Sequence, residues 1–315
     1  MELVRYTAPF DCADMLQILA DIFGEYEAIL ETPQLDGTEQ DQNLDIVYLA
    51  KEDNMILGTI HATIPKAFPT LGGISAMCTT AQARGKGIGR ILFAKIVEEL
   101  EQLNVKTMLL GTGNMIAAKL YHSLGFSYLP CSNVMVRFSE GDLVDFNRVM
   151  YQPEPASCRI EPGNASMRIP IIPLILHKGP FMMLDCNTNL MDCSRIPQFS
   201  CMSLYPRYLN LASEGGAFWG AYSESGVLGA IASVKPTDLG MRADFFGCNS
   251  FSDALPALMM QCEARAKEHS AELYLQIADA DCAKQKWAAT CGYHRTQDII
   301  MNVNGLLLPC GIYRK

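Results

Sequence analysis

Between Ala83 and Leu103 the chain reads ARGKGIGRILFAKIVEELEQL, three glycines at alternate positions running straight into an amphipathic helix. Few features limit a fold as tightly. Glycine tolerates left-handed and crowded backbone that a Cβ forbids. Gly85, Gly87 and Gly89 therefore let successive amide N–H groups face one anionic group at a helix N-terminus, where the helix dipole already favours negative charge. Ile88, Ile91, Leu92, Ile96, Val97, Leu100 and Leu103 mark the apolar face of that helix. The pattern describes a pyrophosphate cradle, and Arg84, Lys86 and Arg90 add positive charge around it in a chain of formal net charge -9.

Alternating strands and helices surround the loop. A strand is expected near Leu3 to Thr7, then a helix from about Asp11 with Met15, Leu16, Leu19, Ile22 and Phe23 on one face. A polar stretch from Glu31 to Asn43 separates these from a β-hairpin, IVYLAKEDNMILGTIHATI, that turns at Glu52, Asp53 and Asn54. A strand near Gly73 to Cys78 feeds the loop, and Thr107 to Leu110 is the strand after the long helix. A further helix starts at Asn114 and is stopped by Gly125, with a closing strand from Val134 to Phe138.

At 315 residues the chain has the length of two domains. Pro153, Pro155, Pro162, Pro170 and Pro173 fall among polar residues, which gives an organisation of a first domain 1–140, a linker 141–173 and a second domain 174–315. The second domain repeats the first weakly. WGAYSESGVLGAIASV matches the hairpin, with Leu228 and Gly229 read opposite Leu57 and Gly58, and a later helix, strand and helix end at Gly292 and Tyr293 as the first set ends at Gly125 and Phe126. The residues with chemistry differ. GCNSFSDAL replaces the glycine loop, Ala288 stands for Tyr121 and Asp281 for Asn114, so the second domain is expected to be a degenerate copy.

Several function classes are excluded by composition. The acidic balance argues against nucleic acid, which needs clustered Lys and Arg. No apolar run reaches the roughly 18–20 residues that span a bilayer, and the N-terminus MELVRYTAPFDCADM does not read as a basic and then apolar leader. The twelve cysteines are scattered, with no C-x-x-C pair, and the five histidines show no metal-ligand spacing. Reduced core thiols, no metal and a cytoplasmic protein are the expectation. Two other nucleotide folds fail on spacing: no Ser or Thr follows a Gly-Lys pair as a P-loop requires, and Arg90 stands where a dinucleotide fingerprint needs its third glycine.

The first half resembles the GCN5-related N-acetyltransferase (GNAT) family. RGKGIG fits that family's Q/R-x-x-G-x-G/A motif through Arg84, Gly87 and Gly89, and NMIAAKLYHSLGF fits its second motif through Asn114, Ala117, Tyr121, Gly125 and Phe126. The resemblance implies an α/β fold with a mixed sheet, in two tandem acyl-CoA N-acyltransferase-like domains, only the first working. It also implies a reaction, transfer of an acetyl group from acetyl-CoA to a primary amine of a small molecule or protein by direct attack. A non-catalytic acyl-CoA sensor or assembly module is the alternative, and monomer and homodimer are both open.

The same resemblance assigns roles. The loop residues Arg84, Gly85, Lys86, Gly87, Ile88, Gly89 and Arg90 would hold the pyrophosphate. Backbone amides at Met77, Cys78 and Thr79 would polarise the thioester carbonyl. Tyr121 would give a proton to the departing thiolate, and Asn114, near Ala117, would contact the pantetheine arm or orient the helix start. Many relatives carry a basic carboxylate on the strand before the loop. Here that strand reads GGISAMCTT, without an acid, which leaves His61, Glu25, Glu27 and Glu31 as candidates by position, each weighed against a surface or core role.

Overall fold

A computed structural model describes residues 1–152, 157–198 and 202–315, so Pro153 and Pro155 of the expected linker lie outside the described residues. The chain divides into two compact units. One holds residues 1–142, with 164–170 and 202–203; the other holds the rest.

In the first unit the elements are β1 (Glu2–Thr7), α1 (Ala13–Phe23), α2 (Glu25–Leu35), β2 (Asn43–Glu52), β3 (Met55–Pro65), β4 (Leu71–Thr79), α3 (Ile88–Gln102), β5 (Thr107–Gly111), α4 (Met115–His122), β6 (Ser127–Tyr128) and β7 (Val134–Phe138). The strands form one seven-stranded mixed sheet in the order β1-β2-β3-β4-β5-β7-β6. Only β4 and β5 run parallel, as a strand, crossover helix and strand require. Alternation along β2 covers both faces: Ile46, Tyr48 and Ala50 join the core under α3 and α4, while Val47 and Leu49 join the core under α1 and α2. Helix α2 is a departure from expectation. Its polar sequence, with Pro33 inside it, hides a helix that turns Glu31, Gln34 and Leu35 inward.

Residues 141–173 are not the bare linker expected. They contain α5 (Leu143–Tyr151), β8 (Arg159–Pro162) and the start of α6 (Ile171–Leu176). The described prolines sit where a missing N–H is harmless: Pro162 ends an edge strand, Pro170 precedes α6 and Pro173 lies in its first turn. Asn164–Pro170 packs into the first unit. Buried Arg168 donates from Nε to Glu39 Oε2 at 2.7 Å, and Ile169 lies so close to Gly73 that a Cβ there would meet it at 2.4 Å.

The second unit continues with β9 (Met183–Asp185), β10 (Leu190–Met191), α7 (Leu204–Ser213), β11 (Ala217–Tyr222), β12 (Leu228–Thr237), β13 (Gly240–Gly247), α8 (Leu255–Glu268), β14 (Leu273–Ala278), α9 (Cys282–Thr290), β15 (His294–Val303) and β16 (Leu306–Arg314). Its large sheet runs β8-β11-β12-β13-β14-β16-β15, the same order as the first, with the parallel pair again in fourth and fifth places as β13 and β14. The register corrects one correspondence. The bulge at Ala50 and Lys51 recurs at Ala221 and Tyr222, which sets Leu57 opposite Gly229 and Gly58 opposite Ala230, one residue from the sequence alignment. The bonds Thr80 N to Leu57 O and Cys248 N to Gly229 O agree.

Candidate functional site

The parallel pair β4 and β5 is laddered only over Leu71–Gly73 against Thr107–Leu109, although both strands continue. A gap therefore opens in the middle of the sheet. On its β4 side Thr59 opposes Cys78 and His61 opposes Ser75, so Ala76 and Met77 together oppose Ile60. Such a bulge takes a peptide out of the ladder and aims it elsewhere. Ala76 has φ 48°, a conformation that costs an L-residue roughly 1–2 kcal/mol. Thr59 Oγ1 donates to Ala76 O at 2.5 Å and holds the distortion.

A cavity of about 650 Å3 runs from this bulge to the glycine loop. Met77, Cys78 and Thr79 line it on the strand side; Arg84, Gly85, Gly87, Ile88 and Gly89 line it at the loop; Asn114, Ala117 and Tyr121 line it from α4. Lys86 and Arg90 do not line it and are exposed beside it. Gly85 at φ 76° and Gly87 at φ 78° are both left-handed, and nothing lies within 4 Å of a Cβ built on either. Their conformation thus serves the turn, and leaves an open floor. Gly87 is the N-cap of α3, and among the described residues no side chain caps the N–H groups of that helix end. None of Arg84, Lys86 and Arg90 has an ion-pair partner among the described residues.

Asn114 caps α4, its Oδ1 accepting from Ile116 N at 2.9 Å and Ala117 N at 3.3 Å. Tyr121 is buried and stacks on Phe93 with ring centroids 4.5 Å apart. Burial first, then the neighbouring Cys78, pushes its phenol up to about 12. Cys78 is itself raised by burial, against a hydrogen-bonding contact with Thr59 Oγ1 at 3.2 Å.

A second cavity of about 230 Å3 meets the first at Phe23, Met77, Asn114, Ala117 and Tyr121. Glu27, Glu31 and Ser75 supply its acidic and hydroxylic wall. Behind that wall lies fully buried His61, its Nδ1 2.8 Å from Glu31 Oε2 and 3.0 Å from Ser75 Oγ, its Nε2 2.9 Å from Asp45 Oδ1. Burial alone would lower the imidazole's affinity for a proton. The hydrogen bonds to Asp45 and Glu31 outweigh it and raise the pKa to about 9, so His61 is a cation between two carboxylates. Burial likewise opposes the charge on Glu31, yet His61 and Ser75 hold its carboxyl below the usual range. Glu27 goes the other way, raised by burial and by the charge of Glu31. Glu25 does not line either cavity. Sequence reasoning gave His61 no partner and missed Asp45 and Ser75. The available signal was β3 itself, where Thr59, His61 and Thr63 alternate with apolar residues and all are buried.

The corresponding places in the second unit are filled. Strand β13 pairs with β12 without a bulge, and Asp244 stands opposite Ser233 as Ser75 stands opposite His61. Residues 182–187 run along this splay: Cys186 N donates to Asp244 Oδ2 at 2.7 Å, and Met182 N and Met183 N both donate to Asp281 Oδ2 at 3.0 Å. Buried Lys284 pairs with Asp244 and donates to Leu184 O at 3.1 Å. The loop before α8 has no left-handed glycine, and Phe251 packs so tightly on Gly229 that a Cβ there would meet it at 2.1 Å.

The sequence model of the acetyltransferase (GNAT) family matches residues 12–126. Similar solved structures include an acetyltransferase of the GNAT family from Staphylococcus aureus Mu50, 18% identical, spanning 44% of this chain and 100% of its own with a TM-score of 0.35. Tetrahymena GCN5 is 12% identical over 44% of this chain and 98% of its own, TM-score 0.35. A phosphinothricin acetyltransferase from Sinorhizobium meliloti in complex with AcCoA is 12% identical over 50% of this chain and 86% of its own, TM-score 0.38. A comparison with curated proteins finds no match.

Proposed function

Because residues 12–126 are a domain of the acetyltransferase (GNAT) family, we propose that the chain transfers an acetyl group from acetyl-CoA to a primary amine of a small molecule or protein, at one site in its first unit. The observation that carries this reading is the meeting of two cavities at Tyr121, one floored by the glycine loop and the other walled by carboxylates. Acetyl-CoA supplies an activated thioester, and the larger cavity suits it. The free N–H groups of α3 and the side chain of Arg84 would hold the pyrophosphate. The bulge at Ala76 and Met77 would present backbone N–H groups to the oxyanion that forms on the carbonyl.

The role of Tyr121 follows from its burial. Raised to about 12, the phenol stays protonated at neutral pH, and it is a weaker acid than a thiol of pKa ~8.5. It serves the leaving thiolate as a hydrogen-bond donor and passes on a proton taken from the attacking nitrogen. The second unit would bind no acyl-CoA, since its own chain lies along the matching splay. Among the described residues no helix is long and apolar enough to cross a membrane. Eleven free cysteines among the described residues suit a reducing, cytoplasmic setting.

Calorimetric titration of the whole chain with acetyl-CoA, followed by CoA release over a panel of amines, tests the proposal. One site per chain is expected. Tyr121→Phe should keep acetyl-CoA affinity and lose about 10²–10⁴-fold in turnover. Two sites, or none, would overturn the single working cradle, and binding without transfer to any amine would favour a sensor.

A further inference from the structure

The smaller cavity holds more chemistry than the glycine loop and Tyr121 use. Glu27 and Glu31 stand one turn apart on a single face of α2, and both line it. Glu31 is only 7% exposed, and among the described residues its hydrogen bonds all fall on one oxygen, Oε2, from His61, Ser75 and Gln34. Its Oε1 has no hydrogen-bond partner among the described residues and is not among the atoms sealed from solvent. An accessible carboxylate oxygen with no donor among the described residues is open to a cationic N–H group, which makes a charge-assisted hydrogen bond there. Among the described residues no Lys or Arg lines the cavity, and Leu19, Phe23, Ile74 and Leu110 form apolar walls.

We propose that the acceptor is a primary ammonium on an aliphatic arm, bound by Glu31 through its free oxygen and deprotonated by Glu27. The inference rests on the acetyl-CoA reading above. Two carboxylates whose surroundings push their proton affinities apart divide binding from proton transfer: Glu31, held ionised by the His61 cation, keeps the ammonium, and Glu27, raised by burial and by Glu31, is the stronger base. The ammonium gives one proton to Glu27, and the freed lone pair forms the C–N bond to the thioester carbon. As the C–S bond breaks, the sulfur takes the electron pair, and a second proton from nitrogen reaches it through Tyr121. The products are the N-acetyl amine, CoA thiol and one proton, which Glu27 returns to solvent. An acceptor with its own carboxylate would face Glu27 and Glu31, and His61 behind them is already shared by Glu31 and Asp45, with no Lys or Arg among the described lining residues to receive it. Amino acids should therefore be poor acceptors beside simple alkylamines.

The test uses the full chain with 1,4-diaminobutane, butylamine and β-alanine as acceptors, both as ligands of the CoA-saturated protein and in steady-state CoA release. The two amines should bind and turn over at least about tenfold better than β-alanine. Glu31→Gln should raise KM for the diamine about tenfold with kcat little changed, whereas Glu27→Gln should lower kcat by about 10²-fold or more while the diamine still binds. Glu27 is the less buried of the pair, so its variant reports even if Glu31→Gln fails to fold. β-Alanine used as well as the amines, a Glu27→Gln enzyme as fast as the unaltered one, or no saturable amine binding to a protein that binds acetyl-CoA would each overturn the proposal. Absence of acetyl-CoA binding would instead bring down the reading on which it rests.

Discussion

The charged state of His61 can be tested without knowing any substrate. The imidazole is fully buried and faces Glu31 from α2, Asp45 from β2, Ser75 from β4 and Thr63 on its own strand, with the charge of Arg168 also felt at Glu31. Its pKa is raised in the folded state to about 9, against about 6.5 in an unfolded chain. The folded form therefore binds this proton more tightly. The stabilisation is complete below about pH 6.5 and drains away as the pH rises towards about 9. Proton affinity higher by about 2.5 decades, at ~1.36 kcal/mol each, gives a loss of about 3 kcal/mol across that window. Urea unfolding of the first unit's transition at a series of pH values should show it. Cys78, raised by burial, drains stability in the same direction at higher pH, so the slope is compared with that of His61→Asn, which cannot titrate. Imidazole ¹⁵N shifts give the direct check. A neutral His61 at pH ~7.5, or a variant with the same slope as the unaltered chain, would refute the reasoning.

Two further substitutions probe the cradle and its filled counterpart. Gly87→Val should leave the fold intact, because a Cβ there meets nothing within 4 Å, yet the left-handed φ of 78° is lost. At roughly 1–2 kcal/mol for that conformation, acetyl-CoA affinity should fall about five- to thirtyfold by calorimetry, with stability nearly unchanged. Lys284→Met strands buried Asp244 without its cation and should cost about 3–5 kcal/mol in unfolding of the second unit. Adding Asp244→Leu should recover much of that loss, and acetyl-CoA stoichiometry should stay at one throughout.

The glycine loop was legible because its chemistry is local. Gly85 and Gly87 adopt the left-handed backbone their sequence invites, and α3 buries Ile88, Leu92, Ile96, Val97 and Leu100 as its periodicity requires. Ile91 and Leu103, on the same apolar tally, are 41% exposed, since a face read from spacing is broader than the contact it makes. The cluster around His61 was not legible, because it is assembled across the sheet. Asp45, His61 and Ser75 come from three strands that register brings together, and Glu31 reaches them from the inward face of α2. Helix α2 hid for a related reason: its inward face carries Glu31 and Gln34, so the polarity that usually marks solvent here marks a buried network. The segment 141–173 was misjudged because prolines punctuate elements as often as they mark linkers.

The two units show how one topology leads to opposite outcomes at the same slot. A parallel pair that splays presents backbone and side-chain polar groups that need partners. In the second unit those needs are met from within: Asp244 and Asp281 accept from Cys186, Met182 and Met183, and Lys284 closes the charge. In the first, α4 meets the splay with Asn114 and Tyr121, the strand carries a strained bulge, and the cations beside the loop have no ion-pair partner among the described residues. Backbone strain of this kind clusters at functional sites, where the surrounding structure holds it in place. The second unit carries neither such a bulge nor such cations, and its own chain lies in that place. A glycine loop built before α8 would lead to an occupied slot. Strand order gives the slot to both units, and its contents, an open cavity in one and the chain's own residues in the other, set them apart.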